Sequence, residues 1–359
     1  MRGFPLTRIF VYEYLTGGGI DPAQSASSSL ADLSALIVEG RVIRDAIVAD
    51  LRALGGDVDV SVARSRFEAA DPAGRDCVAD EGEPMTAFVA RVAREHDYAW
   101  ITTPECDGLL MRMHDAVGSA RWIGCTKEAI RAASSKSATA ALLAAHGIAT
   151  TPAVEPGAAG IDPSGRWVVK PDDGAGGLDT LVFDRFDDAC REYEARTAAG
   201  RNPVLQQWVD GEPLSLSLVC GGDGRPVELL SINRQQIGLS APDPAAHRPS
   251  VVEFDGVEHG RFALASDEGR ALDDVAQLAV AALPGLRGFV GIDVVWHPQR
   301  GPVVIEINPR ATVAYAGLSA ALGRNVAIQV LDVFGARARA RVGLDAASCT
   351  RGCAAGATS

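Results

Sequence analysis

The sequence contains no Cys-x-x-Cys pair. Its seven cysteines, an odd number scattered from Cys77 to Cys353, indicate neither a zinc site nor a disulfide framework, and a reducing cytoplasm is the expected compartment. The six histidines lie far apart and offer no metal-ligand spacing. No apolar run reaches the roughly 18 residues of a membrane-spanning helix, and the first residues follow no signal-peptide pattern, so no membrane partner is expected. Neither G-x-G-x-x-G nor a Gly-Lys-Ser/Thr loop occurs, which removes the usual dinucleotide and Walker A fingerprints. The net charge of -12 argues against a nucleic-acid backbone or an anionic surface as partner. An anionic small ligand would need local cations.

What is present suits an α/β enzyme of two or three domains with a large core: 359 residues, 47% of them apolar, with 38 glycines and 19 prolines. The central stretch is Phe289–Trp296 with its partner Val303–Arg310. Both are short, apolar and β-branched, and His297–Pro302 between them reads as a turn. Alternation along a strand groups Glu306 and Asn308 with Val304, and Asp293 with Gly291 and Val295. A bare carboxylate is costly in an apolar strand. A solvated sheet face accounts for one Asp; an Asp facing E-x-N-P-R on a paired strand is better explained as oxygen ligands for a hard cation such as Mg²⁺.

Along the chain, Arg8–Tyr14 reads as a first strand, followed by the Gly17-Gly18-Gly19 loop. Helical spacing of Ile43, Ile47, Leu51 and Leu54, alternation of Val58, Val60 and Val62, a helix over Phe88–Glu95 and a strand over Tyr98–Thr103 imply a small parallel sheet in residues 1–115. Ligands of such sheets bind beyond the carboxyl ends of the strands, where Glu13, Thr16, Thr103 and Glu105 are candidates for a substrate amine. Lys136 opens a helix capped by Ser134 or Ser135. A cation is unfavourable there unless a phosphate lies nearby. Trp167–Pro171 reads as a strand, with Lys170 beside a glycine-rich loop (Gly174, Gly176, Gly177) whose N–H groups can fold over phosphate oxygens. Val204–Glu212 reads as a strand running into a turn, Leu229–Gln235 as a strand ending in Arg234, residues 241–250 as a mobile proline-rich loop, and Asp273–Leu283 as a helix.

Lysine, then lysine plus glycine loop, hinge strand, acidic strand and E-x-N form an ordered set: Lys136, Lys170 with Gly174–Gly177, Gln206–Glu212, Arg234, Asp293 and Glu306-x-Asn308. In this order the chain resembles the ATP-grasp superfamily of carboxylate–amine ligases. The resemblance implies an α/β ATP-grasp fold over residues 116–335, two subdomains clasping ATP. A small lid occupies about residues 140–210. A pre-ATP-grasp parallel-sheet domain precedes it in residues 1–115, and a flexible tail follows in residues 336–359. It implies that Lys136, Lys170, Gly174, Gly176 and Gly177 contact ATP phosphates. Gln206, Gln207 and Val209 hold adenine, and Glu212 holds ribose. Asp293, Glu306 and Asn308 bind two Mg²⁺, for which Mn²⁺ can substitute, and Lys170, Arg234 and Arg310 serve catalysis. Gln206 departs from the family's frequent acidic residue, and Gly291 stands where some relatives carry Arg. Ile9–Tyr14 with Gly17–Gly19, and Glu306–Thr312, look like the tyramine–L-glutamate ligase group, which implies amide formation through an acyl phosphate in methanofuran-type cofactor synthesis and one-carbon metabolism. The partners implied are a small amino acid and an amine, with a homodimer left open. A carboxylase on the same nucleotide fold, another amino-acid ligase and a non-catalytic ATP-binding regulator remain as alternatives.

Overall fold

The computed structural model describes residues 6–20, 30–70, 73–174, 176–222, 225–241 and 249–336. The expected C-terminal tail from residue 337 onward lies outside them. Two compact units emerge, one comprising Met1–Thr102, Met113–Ile123 and Leu322–Ser359, the other Thr103–Arg112 and Gly124–Ala321.

The first unit is built on apolar strands that pair in parallel. These are β1 (Thr7–Glu13), β2 (Val58–Ala63), β3 (Asp76–Cys77), β4 (Tyr98–Thr102) and β5 (Trp122–Ile123), in the spatial order β3-β2-β1-β4-β5. Crossovers between parallel strands need intervening helices, and α1 (Leu30–Arg52) and α2 (Met85–Arg94) supply them. Phe10 and Tyr12 of β1 are fully buried, and Phe88 of α2 packs edge-on to Phe10 at 6.2 Å.

The second unit contains an eight-stranded sheet. Its helices include α4 (Lys127–Ala133), α5 (Lys136–Ala145), α6 (Phe186–Ala198) and α7 (Asp267–Ala282); α3 (Leu109–Val117) spans the division between the units. Its strands are β6 (Trp167–Pro171), β7 (Leu181–Phe183), β8 (Pro203–Gln207), β9 (Glu212–Gly221), β10 (Val227–Leu239), β11 (Ser250–Glu258), β12 (Arg287–His297) and β13 (Gly301–Asn308). They run in the order β13-β12-β9-β10-β11-β7-β6-β8, with antiparallel neighbours. Near the end of this unit, α8 (Leu318–Leu322) packs Leu318 into the core. Helix α9 (Val326–Val333) belongs to the first unit, where Asn325 donates to the Asp50 carbonyl at 2.7 Å.

Strands β6, β7 and β8 form one end of the sheet. They have their own core of Trp167, Val169, Leu205 and Ala189, with Trp167 and Phe186 rings 4.6 Å apart. The segment 149–153 bridges this end and β13: Val304 N–H donates to the Ala149 carbonyl at 2.9 Å, and Thr151 Oγ1 donates to the Gln207 carbonyl at 3.0 Å.

Two expectations are corrected and one is refined. Simple alternation puts Val304 on the face of Glu306, but β13 bulges at Ile305, so Glu306 faces Asp293 while Val304 faces Val294 on the opposite side. The strand expected from Val204 into a turn ends at Gln207, with the turn before Glu212, which opens the next strand. Of the loop expected over residues 241–250, residues 242–248 lie outside the described set, while Ser250 already begins β11, a strand the sequence reading missed. Among the described residues, no helix is long and apolar enough to cross a membrane.

Candidate active site

Strands β9, β10, β12 and β13 present a polar band on one face. Cross-strand partners point the same way, so the pairings Asp293–Glu306, Gly291–Asn308, Asp293–Ser215, Gly291–Ser217 and Asn233–Ser215 put these side chains together. Asp293 accepts from Gln235 Nε2 and from Asn308 Nδ2, each at 3.0 Å. Asn233, fully buried, donates to Ser217 at 3.0 Å, and its Oδ1 accepts from Ser231 at 2.6 Å. Gly291 leaves space for its neighbours: a Cβ there would sit 3.0 Å from Thr312 Cγ2, a tight contact that Thr312 would have to relieve.

Two buried lysines meet the acidic pair. Lys136 Nζ is 3.3 Å from Glu306 Oε2 and also donates to the Gly174 carbonyl at the start of the glycine loop. Burial pushes the Lys170 ammonium down to about 8, and Lys136 adds to that, against the pull of Glu306 and Asp293. Burial opposes ionisation of Glu306, but Lys136 and Lys170 outweigh it and hold its carboxyl well below the usual range. Burial, then Glu306, push Asp293 up. Glu306 is therefore the carboxylate held ionised, and Asp293 the one that takes a proton more readily. Only Lys127, Lys136 and Lys170 are lysines, in a chain whose lysines and arginines total 34. Two of the three stand here, a compositional signal that the sequence reading passed over.

The donor set fits a hard cation: two carboxylates and an amide, whose rotation by 180° exchanges its N–H for its oxygen. Among the described residues, no trio of His, Cys, Asp or Glu is placed to hold a metal, so any ion here would lean on Asn308 and on ligand oxygens.

The remaining expected residues divide. Gln206 is fully buried; its Nε2 donates to the Thr151 carbonyl at 2.5 Å, while its Oε1 meets no partner. An acceptor left bare inside a protein costs free energy unless a ligand donor reaches it. The Gln207 side chain is exposed and reaches the Ser164 carbonyl at 3.4 Å, so only its backbone faces the hinge. Val209 is buried. Glu212 is gripped by Arg261 at 2.5 and 3.1 Å and approached by Arg234 at 3.6 Å. Sequence reasoning missed Arg261, which reaches Glu212 from the loop after β11. In the glycine loop, Gly176 and Gly177 both have φ of 68°, where an L side chain is strained.

Arg310 and Glu105, expected to act separately, form a buried two-pronged pair at 2.9 and 3.0 Å. Burial works against the Arg310 charge, yet Glu105 holds its pKa above the ordinary value. Thr103, buried in the same unit, donates to the Pro104 carbonyl at 3.3 Å. Glu13 and Thr16 belong to the first unit. There, Glu13 accepts from Leu15 N, Thr16 N and Thr16 Oγ1 at 3.1, 2.9 and 2.8 Å, so its oxygens serve its own turn. Gly40 makes room for it, since a Cβ there would lie 2.6 Å from the carboxylate.

A model of the ATP-grasp domain matches residues 133–314, and one of the pre ATP-grasp 3 domain matches residues 58–130. A protein of Methanocaldococcus jannaschii named tyramine–L-glutamate ligase is 30% identical over 224 residues, 62% of this chain and 58% of its own length. The chain thus spans under two thirds of that relative. A solved structure of an ATP-grasp superfamily protein from Archaeoglobus fulgidus superposes with a TM-score of 0.64 at 22% identity, covering 91% of this chain and 88% of that one. An L-amino acid ligase from Bacillus licheniformis superposes with a TM-score of 0.59 at 17% identity, over 92% and 74% of the two chains. These two likenesses speak for the fold alone.

Proposed function

The chain belongs to the ATP-grasp family, and on that premise we propose that it is an ATP-dependent carboxylate–amine ligase, joining L-glutamate to tyramine or a related amine. The observation that carries the reading is the meeting of Lys136, Lys170 and the Gly174 loop with Glu306 and Asp293 in one buried cluster. The name of the Methanocaldococcus relative supports the choice of substrates. The place we assign to the reaction is methanofuran-type cofactor synthesis. In this reading residues 1–115 act as the pre-ATP-grasp domain and the segment from about residue 140 to 210 as the lid.

A carboxylate acylates poorly because oxide is its leaving group. Transfer of the γ-phosphoryl of ATP to a carboxylate oxygen gives ADP and an acyl phosphate, whose leaving group is phosphate. An amine then attacks the carbonyl carbon, the C–O bond to phosphate breaks, and the amine proton is released to solvent. Catalysis of such a transfer is mainly positioning and charge. Lys136 and Lys170 face the phosphates, and Gly174, Gly176 and Gly177 close over them without side-chain obstruction. Gln206 offers its unpartnered oxygen to the adenine amino group, with Val209 and the Gln207 backbone alongside. Glu212, fixed by Arg261, accepts from ribose. Asp293, Glu306 and Asn308 would hold Mg²⁺, which supplies positive charge beside the transferred phosphoryl. Arg310, held by Glu105, and the half-exposed Arg234 are the cations we assign to the acyl group and its oxyanion. The lid keeps water from the acyl phosphate.

The test is ADP and phosphate release across a matrix of amino acids and amines, with hydroxylamine as trap. Release that needs glutamate plus an arylalkylamine, and a hydroxamate in the amine's absence, is the expected result. Release driven by bicarbonate alone would make this a carboxylase, and no release under any combination would leave only a nucleotide binder.

A further inference from the structure

Asp172 takes no part in the chemistry above, yet it is 6% exposed and fully engaged. Its carboxylate accepts the Ser135 hydroxyl at 2.6 Å and the Ser137 N–H at 2.8 Å. Its carbonyl accepts the Lys136 N–H at 3.0 Å, and its own N–H donates to the Asn202 carbonyl at 2.9 Å. Ser135 caps α5, whose first residue is Lys136, and Asp172 follows Lys170 by two residues at the end of β6. One side chain therefore fastens the helix start that carries one lysine to the strand end that carries the other. The start of α5 attracts anions, as any helix start does. Here an internal carboxylate already fills that place, so a phosphate chain has to be met by the lysine ammonium groups and the glycine loop rather than by the α5 amides.

We propose that Asp172 is a positioning residue: it sets the separation of Lys136 and Lys170, and with it the fit of the site to a polyphosphate. The proposal rests on the ATP-dependent reading of the site. Long lysine side chains sample many rotamers, and fixing both anchor points removes much of that freedom before the ligand arrives. Asn keeps one acceptor oxygen for the Ser137 N–H, whereas Ala keeps none.

Two readouts test it in the full-length protein. In the first, the KM for ATP rises roughly tenfold in Asp172→Ala, the change that matches loss of a helix cap, with kcat altered far less, and Asp172→Asn recovers to within about threefold. The second needs no turnover. Because the chain has three lysines, amine-reactive labelling read by mass spectrometry reports each one, and Lys136 labels roughly tenfold faster relative to Lys127 once the Asp172 carboxylate no longer holds Ser135 and the Ser137 N–H. Leu143→Val, in the buried face of α5, is the control that lowers stability without moving either readout. If Asp172→Ala does not fold, Asp172→Ser carries both measurements. A lower melting temperature with unchanged KM and unchanged Lys136 labelling overturns the proposal. Absent ATP turnover in the parent protein overturns the ligase reading instead, and labelling still decides the role of Asp172.

Discussion

Replacing Lys170 by Met should make the ligand-free protein more stable while abolishing turnover. Burial drives the Lys170 pKa down from 10.5 to about 8, with Lys136 adding to it and Glu306 and Asp293 opposing. That gap corresponds to about 3 kcal/mol against the folded state. Its pH dependence has a definite sign. Below about pH 8 the amine is protonated in both the folded and the unfolded chain, and the cost is complete. Between about 8 and 10.5 the folded protein sheds its proton first, and the cost shrinks; above 10.5 the amine is neutral in both states and the cost is gone. Met has nearly the same length and no charge, so it removes the cost with little change in packing. Unfolding midpoints of the two proteins, measured without nucleotide at pH 7 and again above pH 10, should show a gain at the lower pH that fades at the higher. A Met variant less stable at pH 7, or a gain that does not fade, would refute the reasoning. The same variant should fail to transfer phosphoryl, because the destabilising ammonium is the charge that the phosphates need.

Glu105→Gln leaves the Arg310 guanidinium buried without its partner and should cost about 3–5 kcal/mol, whereas the double variant Glu105→Gln with Arg310→Met should cost less than the two single changes together; an unfolding cycle measures both. Gln206→Leu removes a buried, unpartnered acceptor and, if that oxygen takes the proposed adenine contact, should reduce the preference for ATP over GTP about tenfold in kcat/KM. Glu306→Gln should lower turnover by at least about a hundredfold. It should also remove an acid-sensitive part of stability. The lysines hold Glu306 below its usual range, so its contribution is complete above the unfolded value of 4.5 and is lost as pH falls through the lowered folded one. An acid titration of parent and variant compares them.

Local pattern carried much of this site. The apolar run Trp167–Pro171 forms a strand with the bounds read from the sequence, and Ser135 caps the helix that opens at Lys136. Asp293 and Glu306 lie on two strands joined by a short turn, but they stand opposite each other only because of the bulge, since the turn's regular register would set Asp293 against Ile305. The parts that escaped depend on distant partners. Glu105 meets an arginine 205 residues away, and Arg261 reaches Glu212 across 49. The bulge at Ile305 reverses the face of Val304, and nothing in the surrounding β-branched run marks it. Ser215 and Ser217 alternate with Leu214, Leu216 and Leu218, and because β9 is central and buried on both faces they line the polar band, a role that only the neighbouring strands define. Strand β11 alternates Val252 and Phe254 with Glu253 and Asp255, yet its first residue, Ser250, falls within the proline-rich stretch that reads as a loop. Asp172 resembles any turn aspartate until the fold brings α5 against it.

Oxygen transfer tests the acyl-phosphate route most directly. With glutamate carrying ¹⁸O in its carboxyl groups, ATP and an amine acceptor, the phosphate released is analysed by mass spectrometry. One ¹⁸O atom in each phosphate is the predicted result, since a carboxylate oxygen becomes the bridge of the anhydride and leaves with phosphorus. Amide formation with unlabelled phosphate, or with AMP and pyrophosphate in place of ADP and phosphate, would contradict the account.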